Sequence, residues 1–359
     1  MPRPLLTLPR AFFSFIAVGI ALFAGLTVWL VVNHTQAYQN DALEHAVEVR
    51  TRGATLDFAR ALEADWRALS HLGAQAATAD NDALRSMLDA AVGDGARVSW
   101  AGLASLDGTV MAASGGMLEG ADVAARPWFQ RGLAGAFAGD VHGALLLNEL
   151  LGGSEEDPIR FIDLAQPVTG EADDPLGVLG FHIDFGWAER FLQESAETME
   201  MDLYLVSRSG EVIIATDGTD LGRPDLPSMR AAATGLAATG TETWPDERRY
   251  HTATVPQVRY GDLPSFGWRM VGRVAPDAVM GRRTAIAEIA SGGLAAVTAL
   301  LAVLAIIFAR LFLVPFTRLA DSAEEIADGT DTYPHEGRRT AEQARLSAAL
   351  ARLQARAAP

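Results

Sequence analysis

The chain has 359 residues, 45 acids against 29 basic residues, a formal net charge of −16, no Cys and no Lys. These counts exclude disulfides, thiol chemistry and any lysine-dependent step such as a Schiff base or a phosphate-binding P-loop, and they argue against a nucleic-acid partner. Hydrophobic residues at 49% and a mean hydropathy of +0.14 exclude a disordered chain and are high for a plain soluble enzyme.

The apolar excess is concentrated. Ala11 to Val32 is a run of 22 residues without a charge, and Ile289 to Ala309 is a second of 21. At 1.5 Å per helical residue each predicts a helix that crosses a ~30 Å hydrocarbon layer. For the first run the competing reading is a cleaved signal peptide, whose apolar part is ordinarily ~7–15 residues; for the second it is a buried core helix. Arg3 and Arg10 precede the first run and the next cation is Arg50, so the positive-inside rule predicts a cytoplasmic N-terminus (1–10). The segment 34–283 holds 37 of the 45 acids and 20 of the 29 arginines. The predicted layout is spans at 11–32 and 289–309, an extracytoplasmic domain over 33–283 and a cytoplasmic region over 310–359, in a cell (inner) membrane.

After the first span, Leu43, Val47, Ala54, Phe58, Leu62, Trp66, Leu69 and Leu72 recur at helical spacing. This predicts one long amphipathic rod, or two helices broken near Gly53. Two look-alike segments follow, LASLDGTVMAAS (Leu103 to Ser114) and LVSRSGEVIIAT (Leu205 to Thr216), with Asp107-Gly108 and Ser209-Gly210 as tight turns between strands. GVLGFHIDF (Gly177 to Phe185) and WRMVGRVAP (Trp268 to Pro276) read as further strands. The fold class predicted is α+β, in two duplicated modules, each a small antiparallel sheet with helices around it.

The order of span, long helix, two sheet modules and span, with ARPWFQRGLAG (Ala125 to Gly135), DLAQPV before GVLGFHIDF, and FGWRMVGRVAP (Phe266 to Pro276), resembles the double Cache extracellular sensor domain over roughly residues 34–283. The resemblance implies two PAS-like modules, a membrane-distal one over about 80–190 and a proximal one over about 195–283, with ligand in the distal module. After the second span, LVPFTRLADSAEEIADG (Leu313 to Gly329) has Pro315 at a helix start and a Leu319, Ala323, Ile326 stripe. Leu346, Leu350 and Leu353 give a second stripe. This pair resembles the HAMP transducer, although TAEQARLSAAL keeps only Glu342 of the usual second-helix entry. Two such helices predict a homodimeric bundle. No output module is recognisable after it, so the output is expected on a separate cytoplasmic protein, or the chain is a truncated relative of a chemoreceptor, histidine kinase or nucleotide cyclase.

Candidate chemistry is sparse. The seven His are scattered without metal-ligand spacing, and no nucleophile elbow or phosphate loop occurs. The acidic runs Glu155-Glu156-Asp157 and Asp173-Asp174 lack calcium-loop spacing. No catalytic residue, metal ligand or cofactor is predicted, and the chain is expected not to be an enzyme. For binding, Arg126 offers a planar fork for a carboxylate, and Trp128 and Phe129 offer apolar walls. His182, Asp163, His142 and Asp140 complete the candidate set. The competing readings are that Arg126 pins a helix start and that Trp128, Phe129 and His182 are core. In amino-acid-sensing double Cache domains the resembling Arg-x-Trp-aromatic segment holds the ligand carboxylate. Their amine-binding Tyr and Asp positions correspond here to Ala121, the Leu145-Leu146-Leu147 region and His182, so a carboxylate without an amine is expected. The expected function is a membrane-bound sensor that binds a small molecule in its extracytoplasmic domain, periplasmic or extracellular, and signals through its second span to the HAMP-like dimeric bundle. The alternative is a non-signalling tethered solute-binding or accessory protein.

Overall fold

The computed structural model describes residues 8–143, 147, 150–152, 154, 158–170, 174–275, 281–330 and 333–357. Arg3, Leu145, Leu146, Glu155-Glu156-Asp157, Asp173 and Pro276, all named above, lie outside the described residues. Residues 1–39 with 280–359 form one compact unit and residues 40–279 another.

The first helix, α1, runs unbroken over Leu8–Ala76. Gly53 does not interrupt it: one glycine costs about 1 kcal/mol relative to Ala in a helix, and the buried stripe on either side of it, Val47, Ala54 and Phe58, holds the helix by packing. Within the second unit the helix buries Val47, Ala54, Phe58, Leu62, Leu69 and Leu72, the stripe that the sequence spacing predicts. Then follow α2 (Asn81–Val92), β1 (Val98–Ser105), β2 (Val110–Ala113), α3 (Pro127–Ala134), β3 (Phe137–Gly143), β4 (Arg160–Thr169) and β5 (Pro175–Asp184). The pattern repeats with α4 (Phe185–Met199), β6 (Asp202–Val206), β7 (Val212–Ala215), α5 (Pro227–Thr234), β8 (Ala238–Thr243), β9 (Arg249–Val255) and β10 (Arg269–Val274). The fold is mixed α+β with two five-stranded antiparallel sheets. Their orders, β2-β1-β5-β4-β3 and β7-β6-β10-β9-β8, are the same order twice. Gly108 (φ 91°) and Gly210 (φ 83°) turn the two matching hairpins with a backbone that side chains rarely adopt.

Successive strand residues point to opposite faces. In the first sheet Ala101, Leu103, Ile162, Leu164, Leu179, Phe181 and Ile183 face the core shared with α1. Trp100, Ala104, Phe161, Ala165 and Val178 face the other way, under α3. In the second sheet Leu203, Leu205, Ala253 and Met270 share the α1 core, while Tyr204, Val206, Tyr250 and Val271 face a separate cluster with Met229 of α5 and Trp244. One helix therefore closes one face of both modules and leaves each a second face of its own.

The other unit is helical. It contains α6 (Gly281–Phe308), a π-helical turn (Ala309–Leu313), α7 (Val314–Ala327) and α8 (Ala341–Ala357). Among the described residues one helix, Gly292–Ala327, is long and apolar enough to cross a membrane, at a mean hydropathy of 2.7; the apolar stretch described in α1, Phe12–Thr27, is shorter. Phe12 stacks on Phe308 with centroids 5.2 Å apart. Pro315 stands in the first turn of α7, where the sequence places a helix start, with no break in helical backbone before it. The helix continues through it, and the π turn just before it widens the backbone where the proline ring and missing N–H disrupt the i−4 bond. Leu319 is buried, Leu350 nearly so, and Leu346 and Leu353 stay exposed.

α3 lies so close to the first sheet that a Cβ on Gly132 would sit 2.5 Å from Val178 and 3.1 Å from Ala165. Gly132→Ala should therefore lower stability by about 1–3 kcal/mol through overpacking, read as a fall in the unfolding midpoint of the purified protein.

Candidate ligand-binding site

The site is built by strand register. Trp100 of β1 pairs with His182 of β5, and His182 pairs with Asp163 of β4, so three side chains of one face stand in a single row across the sheet. The row continues to Gly139 of β3. There the β3–β4 register slips between Gly139 and His142, and this irregularity brings His142 to the same carboxylate. His182 lies face to face with Trp100 at a centroid distance of 4.9 Å and edge-on to Trp128 at 5.9 Å. Trp128 reaches over β5 because residue 180 is glycine; a Cβ there would stand 2.9 Å from the indole.

Asp163 is 2% exposed and His182 5%. One Asp163 oxygen accepts from His182 Nδ1 at 2.6 Å and the other accepts from His142 Nε2 at 2.7 Å. Burial by itself would raise the Asp163 carboxyl, but the charge of His182 and the hydrogen bonds from both imidazoles outweigh it and hold it down at about 2. The hydrogen bond to Asp163 raises His142 above the ordinary imidazole value; partial burial and the nearby Arg126 guanidinium act in the opposite sense. The second His142 nitrogen, Nδ1, lies 3.2 Å from the Gly143 carbonyl.

A cavity of about 260 Å³ opens over this row, lined by Arg126, Trp128, His142 and His182 among the predicted residues and by Trp100 and Leu118 among others. Arg126 stands at the N-cap of α3, yet its side chain makes no cap bond, and it is exposed, with no ion pair among the described residues. Ala121 and Leu147 also line the cavity.

The remaining predicted residues lie elsewhere. Phe129 is 3% exposed and packs edge-on to Trp128 in the cluster beneath α3. Asp163 stands behind the two imidazoles. Asp140 is on β3 but faces the second module, where its Oδ1 accepts from Trp268 Nε1 at 2.8 Å. Trp268, at the edge of β10, is sandwiched by Phe266 at 4.2 Å and Phe58 of α1 at 6.3 Å. Sequence reasoning missed Trp100, whose position two residues after Val98 in an apolar strand gave only a core signal. It also treated the histidines as scattered, although three distant residues, His142, Asp163 and His182, form one cluster.

The second module has the same row with different contents. Asp202 of β6 pairs with Arg273 of β10, which pairs with Thr252 of β9, which pairs with Gly240 of β8. Arg273 thus holds the place of His182, Thr252 that of Asp163 and Asp202 that of Trp100. Arg273 is buried. Its Nε donates to Asp202 at 2.8 Å and its Nη2 to Asp217 at 2.7 Å. Its guanidinium carbon lies 4.1, 4.3 and 5.3 Å from the ring centres of Tyr250, Trp244 and Tyr204. A longer, cationic side chain thus stands, buried, at the position that His182 holds in the first module.

No protein-family model matches the chain, and no curated protein matches it. The structure is similar to solved ligand-binding domains. One is the extracellular ligand binding receptor from Desulfohalobium retbaense, at 12% identity and a TM-score of 0.45, covering 62% of this chain and 39% of that one. A second is the ligand-binding domain of the Pseudomonas aeruginosa amino acid chemoreceptor PctC in complex with GABA, at 16% identity and 0.46, covering 67% and 99%. A third is that of the Pseudomonas fluorescens chemoreceptor CtaA in complex with L-isoleucine, at 15% and 0.48, covering 70% and 97%. This chain therefore spans about two fifths of the length of the first of them. Likeness at this level transfers no ligand to this chain.

Replacing Arg273 by Leu leaves Asp202 and Asp217 facing an aromatic box without a counter-charge. The expected loss is about 3 kcal/mol or more of stability, visible in thermal unfolding, while the first module's cavity keeps its residues.

Proposed function

We propose that this chain is a membrane-anchored sensor of the double Cache type, whose first module binds a small carboxylate lacking an amine. The observation that carries the reading is the composition of the cavity. A guanidinium free of ion pairs among the described residues and two imidazoles line it, and the one buried carboxylate behind them has both oxygens engaged. An anion entering the cavity meets the Arg126 guanidinium and the second nitrogen, Nε2, of His182, the other imidazole nitrogens being engaged. An ammonium group, such as that of an α-amino acid, meets no free carboxylate. Trp100, Trp128 and Leu118 supply an apolar wall for a short carbon skeleton.

The second module supports the reading from the opposite direction. Arg273 occupies the position that corresponds to the cavity, so ligand binding is assigned to the first module alone. We read the chain as non-catalytic, with the apolar stretches of α1 and of Gly292–Ala327 as its two spans and the helices α7 and α8 as a HAMP-like pair. The exposed Leu346 and Leu353 of α8 support a homodimer in which a second copy covers them. Ligand that favours one of two arrangements of the dimer shifts their populations by its difference in affinity.

Titration calorimetry and thermal shift on the full chain in detergent micelles, against small mono- and dicarboxylates and the matching amines, test the assignment. A carboxylate at 100 times its Kd should raise stability by about 2.7 kcal/mol. Arg126→Ala should weaken that binding at least ~10-fold, as expected for a lost charge-assisted contact of ~1.5–3 kcal/mol, with the unfolding midpoint of the ligand-free protein unchanged. Stabilisation by amines and not by carboxylates overturns the assignment. Reporter fusions should put residue 174 outside and residue 342 in the cytoplasm; a shared compartment removes the two-span reading.

A further inference from the structure

We propose that His142, His182 and Asp163 form a binding site for a first-row divalent transition metal at the floor of the cavity, and that the metal supplies a coordination position to the incoming carboxylate. The proposal deepens the anion-binding reading and rests on it for the second half only.

The three residues each offer one ligand atom, and these atoms lie within 4.8 Å of one another. The donor set is two imidazoles and one carboxylate. That set suits Zn²⁺, Co²⁺, Ni²⁺ or Fe²⁺, whereas Mg²⁺ and Ca²⁺ favour all-oxygen cages. The nitrogens of His142 and His182 face the two Asp163 oxygens at 2.7 and 2.6 Å, joined by hydrogen bonds. Ligands around a single ion with bonds of ~2.0–2.2 Å stand roughly 3–3.4 Å apart, so each nitrogen–oxygen pair opens by about half an ångström and the two nitrogens, within 4.8 Å of one another, draw in onto the ion. The ion takes the places of the two protons that now lie between nitrogen and oxygen, and binding releases protons to solvent.

Three further features fit a metal. His142 can donate its remaining Nδ1–H to the Gly143 carbonyl at 3.2 Å, the outer contact that commonly fixes a ligating imidazole with Nε2 toward the ion. Asp163 is a buried carboxylate, and a cation bound to it offsets its charge directly in place of the two imidazole hydrogen bonds. The cavity leaves one side of the cluster open, so three protein ligands leave room for an exogenous oxygen donor, with Arg126 placed to hold the other end of an anion.

The test uses the full chain in detergent micelles, freed of metal by chelation and dialysed against Zn²⁺ and, separately, Co²⁺. One equivalent should be retained, and Co²⁺ should give the visible absorption of a nitrogen- and oxygen-ligated ion. His142→Gln should weaken retention by more than the ~10–100-fold that loss of an outer-sphere partner costs, and Asp163→Asn should do the same. Because Asp163 is buried and its variant can misfold, the half-exposed His142 carries the decision. Arg126→Ala should retain the metal at wild-type affinity, which separates this site from the anion contact. Failure of the wild-type protein to retain metal, or equal retention by His142→Gln, overturns the proposal. Carboxylate binding that persists unchanged in the metal-free protein overturns the metal's part in recognition while leaving the anion-binding reading intact. Metal retention without carboxylate binding does the reverse.

Discussion

A carboxylate taken out of water needs positive charge or hydrogen-bond donors within reach, and Asp163 is nearly fully out of water. Both of its oxygens are met, from β5 by His182 and from β3 by His142. This requirement organises the first module. It accounts for two imidazoles converging on one point of an otherwise aromatic sheet face, and for the slipped register of β3 that brings the second of them there. It also fixes the polarity of the cavity above. With the acid already engaged, it offers no free carboxylate to a ligand, and Arg126 supplies positive charge at the cavity wall.

The duplicated module shows what the same row becomes when the residues change. Where the first sheet has Trp100, His182 and Asp163, the second has Asp202, Arg273 and Thr252. The signs are exchanged. A buried cation is met by two carboxylates and an aromatic box. One architecture thus yields a cavity over two imidazoles in one copy and a buried, self-neutralised cation in the other. The difference is side-chain length and charge at three matching positions of the row, on three adjacent strands.

The two modules are joined by more than the chain. α1 packs on one face of both sheets, and the indole of Trp268 spans from Phe58 of that helix to Asp140 on β3. Asp140 is two residues from His142, and Trp268 directly precedes β10, the last strand before the chain enters α6. β3 at the cavity is thus joined to the residue that precedes β10 by one hydrogen bond.

Much of this was legible in the residues. The apolar runs, the one-sided stripe from Val47 to Leu72, the twin Gly turns and the repeated strands all follow from local periodicity and turn chemistry, which act over a few neighbours. Arg126, Trp128, His142 and His182 could be singled out by residue type and by the resemblance of their surroundings. What the sequence did not hold was register. His142, Asp163 and His182 are separated by 21 and 19 positions, and nothing local tells which strands become neighbours or where β3 slips. The same slip explains Asp140, which shares a strand with His142 yet turns to Trp268. Nor could Arg273 be told from an ordinary strand arginine, since its carboxylates and rings come from four other segments. Local chain chemistry decided the elements; the pairing of distant strands, which closes only when both sheets pack on α1, decided the site.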